Sequence, residues 1–181
     1  MSNQKAEILA PVGNWEMCLA AVHNGADAVY VGMPNFNARG RAKTFELEEL
    51  REIIEYCHRY GVKVFLAFNV LIFERELAEA LPLLIDVLPL APDAFIVQDI
   101  GLARLIHQLA PDQVLHASTQ MTITSYEAIE ATKDLQLKRY VLGREVSLDE
   151  MARIREKTEK ELEVFVHGAL CVSYSGQCLT S

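Results

Sequence analysis

Residues 93–120, DAFIVQDIGLARLIHQLAPDQVLHASTQ, decide the fold. The runs 93–98 and 113–119 are apolar and β-prone, and each closes on polar side chains: Gln98 and Asp99 after the first, His116, Ser118 and Gln120 around the second. Between them, GLARLIHQLA carries apolar residues at helical spacing. Strands that read as continuous apolar runs are buried on both faces, which is the pattern of parallel strands covered by helices.

The same unit recurs in both directions. Strands are expected at 7–11, 28–32, 63–70, 139–143 and 162–170 in addition to the two above, with amphipathic helices between them. The helix ends carry matching chemistry. Ser147 with Glu150 three residues on reads as a capping box, and Gly25 and Gly61 read as left-handed C-caps.

Repeated βα units permit a doubly wound sheet or a barrel. No GxGxxG turn follows the first strand, which lowers the dinucleotide-binding reading. Polar groups also close consecutive strands: Asn69, then Gln98, then His116, Ser118 and Gln120, then Arg144 and Glu145, then His167. Catalytic groups of a barrel gather at that rim. The expected class is therefore α/β, a TIM-barrel-like (β/α)8 fold. With about seven parallel strands it is an incomplete barrel: residues 1–181 form a single domain that stops before the eighth strand.

The charge narrows the partners. Against 17 basic residues stand 25 acidic ones, a net charge of −8, so no broad basic face for nucleic acid is expected and any RNA contact must be local or lie elsewhere. The amino terminus lacks an apolar signal segment, and no stretch nears the roughly 18 unbroken apolar residues of a membrane span, so the expectation is a cytoplasmic protein without membrane contact. Of the four cysteines, Cys18 and Cys57 lie in helical apolar settings and read as packing thiols. Cys171 and Cys178 share a loop with Ser173, Ser175 and Gly176 and form the candidate for chemistry. By spacing alone the pair is compatible with incidental thiols or with part of an iron–sulfur site.

The segment Glu163-x-Phe165-x-x-Gly168-Ala169-Leu170-Cys171, then Gly176-x-Cys178 and Ser181, resembles the signature of the collagenase-like peptidase family U32. EILAPVGN, NGADAVYVG, YCHRYGVKVFLAFN, DAFIVQDIGL, LHASTQMTI and LGREVSLDE extend the resemblance along nearly the whole chain. It implies oxygen-independent hydroxylation of an RNA base with prephenate as co-substrate: a cytidine of large-subunit ribosomal RNA ahead of a wobble uridine of tRNA. It also implies a 4Fe-4S cluster on four cysteines, two of them Cys171 and Cys178 and the others downstream. The family's older assignment is proteolysis, for which the chain shows no HExxH helix. A three-ligand metal site of His116, His167 and Cys171 is the remaining route to it.

The other candidates follow from side-chain chemistry. His167 can orient a ligand or donate a proton, or be a satisfied core histidine. His116, Ser118 and Gln120, with Asn69 and Gln98, can hold a small acid or form a structural polar layer. Arg144 can clamp a carboxylate of a dicarboxylate such as prephenate, with Glu145 facing the substrate or pairing beside it. Arg39, in the loop GMPNFNARGRA with Asn37 and Arg41, can meet a phosphate or an acid, or stay solvated. The sequence implies no oligomeric state.

Overall fold

The computed structural model describes residues 5–38, 45–168 and 173–177. Strands and helices alternate along them: β1 (Leu9–Val12), α1 (Trp15–His23), β2 (Ala28–Gly32), α2 (Leu47–Arg59), β3 (Lys63–Phe68), α3 (Leu77–Val87), β4 (Ala94–Val97), α4 (Ile100–Leu109), β5 (Leu115–Ala117), α5 (Tyr126–Ala131), β6 (Arg139–Val141), α6 (Leu148–Lys157) and β7 (Glu161–Glu163). All seven strands pair in parallel in the order of the sequence. A doubly wound sheet reverses its order at a switch point. This one never does, so it curls in one direction as a TIM-barrel-like half-barrel whose edges are β1 and β7.

Strand alternation divides the interior. Val29, Val31, Leu66, Phe95, Val97, Leu115 and Tyr140 point outward and pack against Leu50, Ile53, Leu84, Ile106, Ile129 and Ile154 of the helices. Ala28, Phe65, Ala67, Ala94 and Ile96 line the concave side, with Leu9 and Tyr30 against them. The thiols of Cys18 and Cys57 lie 3.6 Å apart within the outer layer, both fully buried, as packing residues should be.

Helices start at the C-terminal ends of the strands, and their caps fix the loops there. Asn14, Asp99, Ser125 and Ser147 accept from Met17, Leu102, Ala128 and Glu150 N–H groups. Ser147 and Glu150 complete the expected capping box, and Gly25 and Gly61 adopt φ of 85° and 71°. Among the described residues no helix is long and apolar enough to cross a membrane.

One element departs from expectation. The seventh strand, expected over 162–170, pairs only from Glu161 to Glu163. Its partner β6 ends at Val141, where the chain turns toward α6, and the other side of β7 has no strand beside it among the described residues. Val164 to Gly168 consequently leave the ladder exposed.

Candidate functional site

The polar ends of β3, β4 and β5 are joined into one hydrogen-bonded chain. Asn69 Nδ2 donates to Ser118 Oγ at 3.2 Å, while its Oδ1 accepts from Ala38 N–H at 3.1 Å. Ser118, 1% exposed, also accepts from Gln120 N–H at 3.1 Å, and Gln98 Nε2 donates to the Gln120 carbonyl at 3.2 Å. Asn69, Gln98, Ser118 and Gln120 thus lie together at the mouth of the half-barrel. Nearby, the buried Asn37 side chain donates to Met33 O at 2.7 Å and lies so close to Gly32 that an added Cβ would be 2.8 Å from its Cγ.

A depression of about 50 Å³ opens beside this chain, bounded by Tyr30, Asn69, Ser118, Thr119, Glu163 and Phe165. It accommodates one or two waters, or the leading edge of a larger molecule. Arg144 stands over the Phe165 ring, its guanidinium carbon 4.4 Å from the centroid. An aromatic face and a cation therefore flank the opening.

His116 is placed differently from its expected position at the rim. It shares the concave face with Ser118, two residues on, but lies one layer deeper, 2% exposed and edge-on to Phe65 at 4.7 Å. Burial, with Arg139 nearby, pushes its pKa down to about 3, so the ring is neutral at physiological pH, and its Nδ1 has no hydrogen-bond partner among the described residues. His167 lies beyond β7 and is exposed. Among the described residues no contact joins the two imidazoles, and no group of three His, Cys, Asp or Glu is poised to hold a metal ion.

The loop between the two cysteines is anchored to the same rim. Ser175, 7% exposed, donates its hydroxyl to Glu145 Oε2 at 2.9 Å and its N–H to Glu145 Oε1 at 3.3 Å. Its Oγ accepts from Arg144 N–H at 3.2 Å, and its carbonyl accepts from Thr122 Oγ1 at 2.7 Å. Both carboxylate oxygens of Glu145 thus accept from Ser175, and Glu145 holds this loop. Cys171, Cys178 and Arg39 lie outside the described residues.

Gly176 makes the docking sterically possible. Its φ is +76°, and a Cβ there would lie 2.5 Å from both Gln120 O and Thr122 Oγ1. Gly176→Ala is expected to cost about 1–3 kcal/mol through backbone strain and to undock the loop. Limited proteolysis should then cut within 173–177 faster than in the wild type, and equal cleavage rates would show that the contact is dispensable.

Beneath the mouth lies a charged layer absent from the expected site. Arg139 Nη2 and Nε reach Glu161 at 2.7 and 2.8 Å, and Nη1 reaches Glu7 at 3.0 Å and Glu163 at 3.3 Å. Lys63 pairs with Glu7 at 2.9 Å. Against the effect of burial, hydrogen bonds and charge from Arg139 hold the Glu161 carboxyl below the usual range, and those from Lys63 and then Arg139 do the same for Glu7. Burial raises Glu163 instead, and the neighbouring carboxylates add to it. The signal was the i, i+2 spacing of Glu161 and Glu163, which puts both on one face of a strand.

Comparison with known proteins gives the fold and site a context. The family model for peptidase family U32 matches residues 13–181. The chain is 39% identical over 181 residues to the 23S rRNA 5-hydroxycytidine synthase of Escherichia coli, covering 100% of this chain and 27% of that protein. It is 36% identical to the tRNA hydroxylation protein P of Escherichia coli, covering 98% and 39%, and 34% identical to a collagenase of Porphyromonas gingivalis, covering 97% and 44%. The chain spans less than half the length of each of these relatives. Among solved structures, the U32 peptidase Mk0906 superimposes with a TM-score of 0.74 at 17% identity, over 91% of this chain and 70% of that one.

Proposed function

From the premise that this chain belongs to peptidase family U32, we propose that the intact protein hydroxylates a base of RNA in the cytoplasm, a ribosomal cytidine ahead of a tRNA uridine. The observation that carries this reading is the 39% identity, along all 181 residues, to a protein named for making 5-hydroxycytidine in 23S rRNA. The mouth of the half-barrel suits such a substrate. A splayed-out pyrimidine has a π-face and a hydrogen-bonding edge; Phe165 and Arg144 offer the first a stacking surface, and Asn69, Ser118 and Gln98 offer the second a polar rim.

The depression is smaller than a pyrimidine ring, so the base rests above it with one edge directed inward. Prephenate is the proposed co-substrate, with Arg144 as its carboxylate clamp. The net charge of −8 leaves RNA docking to local contacts, Arg39 among them, and to parts of the protein outside these residues.

A 4Fe-4S cluster is the proposed cofactor. Two thiolates are soft donors suited to iron–sulfur chemistry, and the loop between Cys171 and Cys178 is fastened to the mouth at Ser175. Those two residues would hold half of the cluster's iron ligands, with the others supplied from outside these 181 residues. When bound, the cluster supplies one-electron transfer. Around it, Glu145 and Thr122 keep the ligand loop in place, and the Asn69–Ser118 pair orients the substrate.

The 34% identity to a collagenase keeps proteolysis as the competing reading. Nucleoside mass spectrometry on RNA from a strain lacking the protein separates the two. Loss of one oxygen from a single base supports hydroxylation, whereas unchanged nucleosides together with gelatin cleavage by the purified protein support proteolysis.

A further inference from the structure

We propose that Glu163 is the proton-transferring residue of the barrel mouth, a role that rests on the base-hydroxylation reading above. Glu163 bounds the depression together with Tyr30, Asn69 and Ser118, and its side chain is 17% exposed. It is the one carboxylic acid at this opening among the residues that bound it.

The charges that face it decide its protonation. Glu7 approaches from ahead of β1, Arg139 from β6 and Glu161 from its own strand, and Tyr30 of β2 lines the same depression; further off, Lys63 of β3 pairs with Glu7. Arg144 stands above Phe165, and Lys138 reaches Glu161 at 3.5 Å from the exposed side. His116 is neutral. Inside the lumen, the cations Arg139 and Lys63 balance the anions Glu7 and Glu161. A third carboxylate would have to share Arg139 with Glu7 and Glu161 in a confined space.

Arg139 also spends its closest contacts elsewhere: 2.7 Å to Glu161 and 3.0 Å to Glu7, against 3.3 Å to Glu163. Burial raises the Glu163 pKa in the same direction. Burial and the neighbouring carboxylates thus favour the protonated form of Glu163, whose side chain lines the depression.

The step is a simple acid transfer. The O–H bond of Glu163 breaks, the proton passes to a carbonyl oxygen of the pyrimidine directed into the depression, and the electron pair stays on the carboxylate. Arg139, already 3.3 Å away, stabilises the new charge. Protonation withdraws electron density from the ring and makes it more open to attack, and no redox change occurs at Glu163.

The test uses the intact protein as wild type, Glu163→Gln and Glu163→Asp. The glutamine side chain is isosteric and neutral, so E163Q is expected to fold with wild-type stability at neutral pH. Difference infrared spectroscopy on the substrate-free protein should show a protonated carboxyl C=O band at neutral pH in the wild type that disappears in E163Q. With RNA, wild-type hydroxylation should decline as pH rises through the carboxyl pKa, because the acid form is the active one. E163Q should lower the rate by about 100-fold or more and remove that limb, while E163D recovers part of the rate.

An E163Q protein that hydroxylates at the wild-type rate with the same pH profile overturns the role, as does the absence of the band from the wild type. A wild type that does not hydroxylate RNA overturns the functional reading itself, and this role with it.

Discussion

Cys171→Ala and Cys178→Ala are each expected to eliminate the hydroxylated base and to strip iron and sulfide from the intact protein, the largest effect expected from any single substitution in the chain if the proposed cluster is present. Loss of a residue that merely orients a metal ligand typically costs 10–100-fold. Loss of a ligand itself should exceed about 100-fold, and anaerobic reconstitution should yield a protein without the brown cluster absorbance. The expectation rests on the anchored geometry of the intervening loop. Ser175 is held by Glu145 and Thr122, and Gly176 packs against Gln120, so the segment between the cysteines sits on the rim that carries Asn69 and Ser118. Full activity and normal iron content in either variant would remove that cysteine from the ligand set.

The second large effect is on stability. Arg139, with its side chain 11% exposed, is the common partner of Glu7, Glu161 and Glu163. Arg139→Ala leaves these carboxyls crowded on the concave face without their guanidinium, and it also removes the cation over the Phe65 ring. Breaking a buried ion pair from one side costs about 3–5 kcal/mol. Glu161 is 40% exposed and Glu7 25%, so water screens part of the loss and about 2–4 kcal/mol is expected. That corresponds to a fall in Tm of about 5–15 °C for a domain of this size.

The sign of the pH dependence follows from the two lowered carboxyls. Glu7 and Glu161 titrate lower in the folded state than in the unfolded one. Their contribution is therefore present above the unfolded pKa near 4.5 and lost as pH falls through the folded values. The deficit of Arg139→Ala should be largest at neutral pH and shrink on acidification, when the crowded carboxyls take up protons. Thermal melts across that range provide the check. A deficit independent of pH would mean that Arg139 acts through packing alone.

The architecture was readable because it depends on periodicity. Apolar runs such as AVYVG and DAFIVQ, and amphipathic helices such as the one capped by Ser147, each point locally to the same fold. The polar rim was readable for a related reason: Asn69, Gln98 and Ser118 each follow directly on an apolar strand. The deeper layer was not. Arg139, Glu161 and Glu163 are charged residues at the bounds of short strands, and taken singly each resembles a solvated end. Only the curling of the sheet brings Glu7 to Arg139 across 132 positions of sequence.

Depth along a strand was equally hidden. His116 and Ser118 share a face, yet one is enclosed against Phe65 and the other stands at the opening. Glu145 followed the local pattern of a strand-end carboxylate, but Ser175, 30 residues away, claims both its oxygens.

The central claim, that the intact protein adds oxygen to an RNA base, is tested most directly by mass mapping of ribosomal and transfer RNA. The RNA should come from a strain lacking the protein, complemented with the wild type or with Cys171→Ala. One cytidine of the large-subunit ribosomal RNA should lose a single oxygen in the deletion strain, regain it with the wild type and remain unmodified with the variant. RNA whose nucleosides are identical in all three strains would contradict the account.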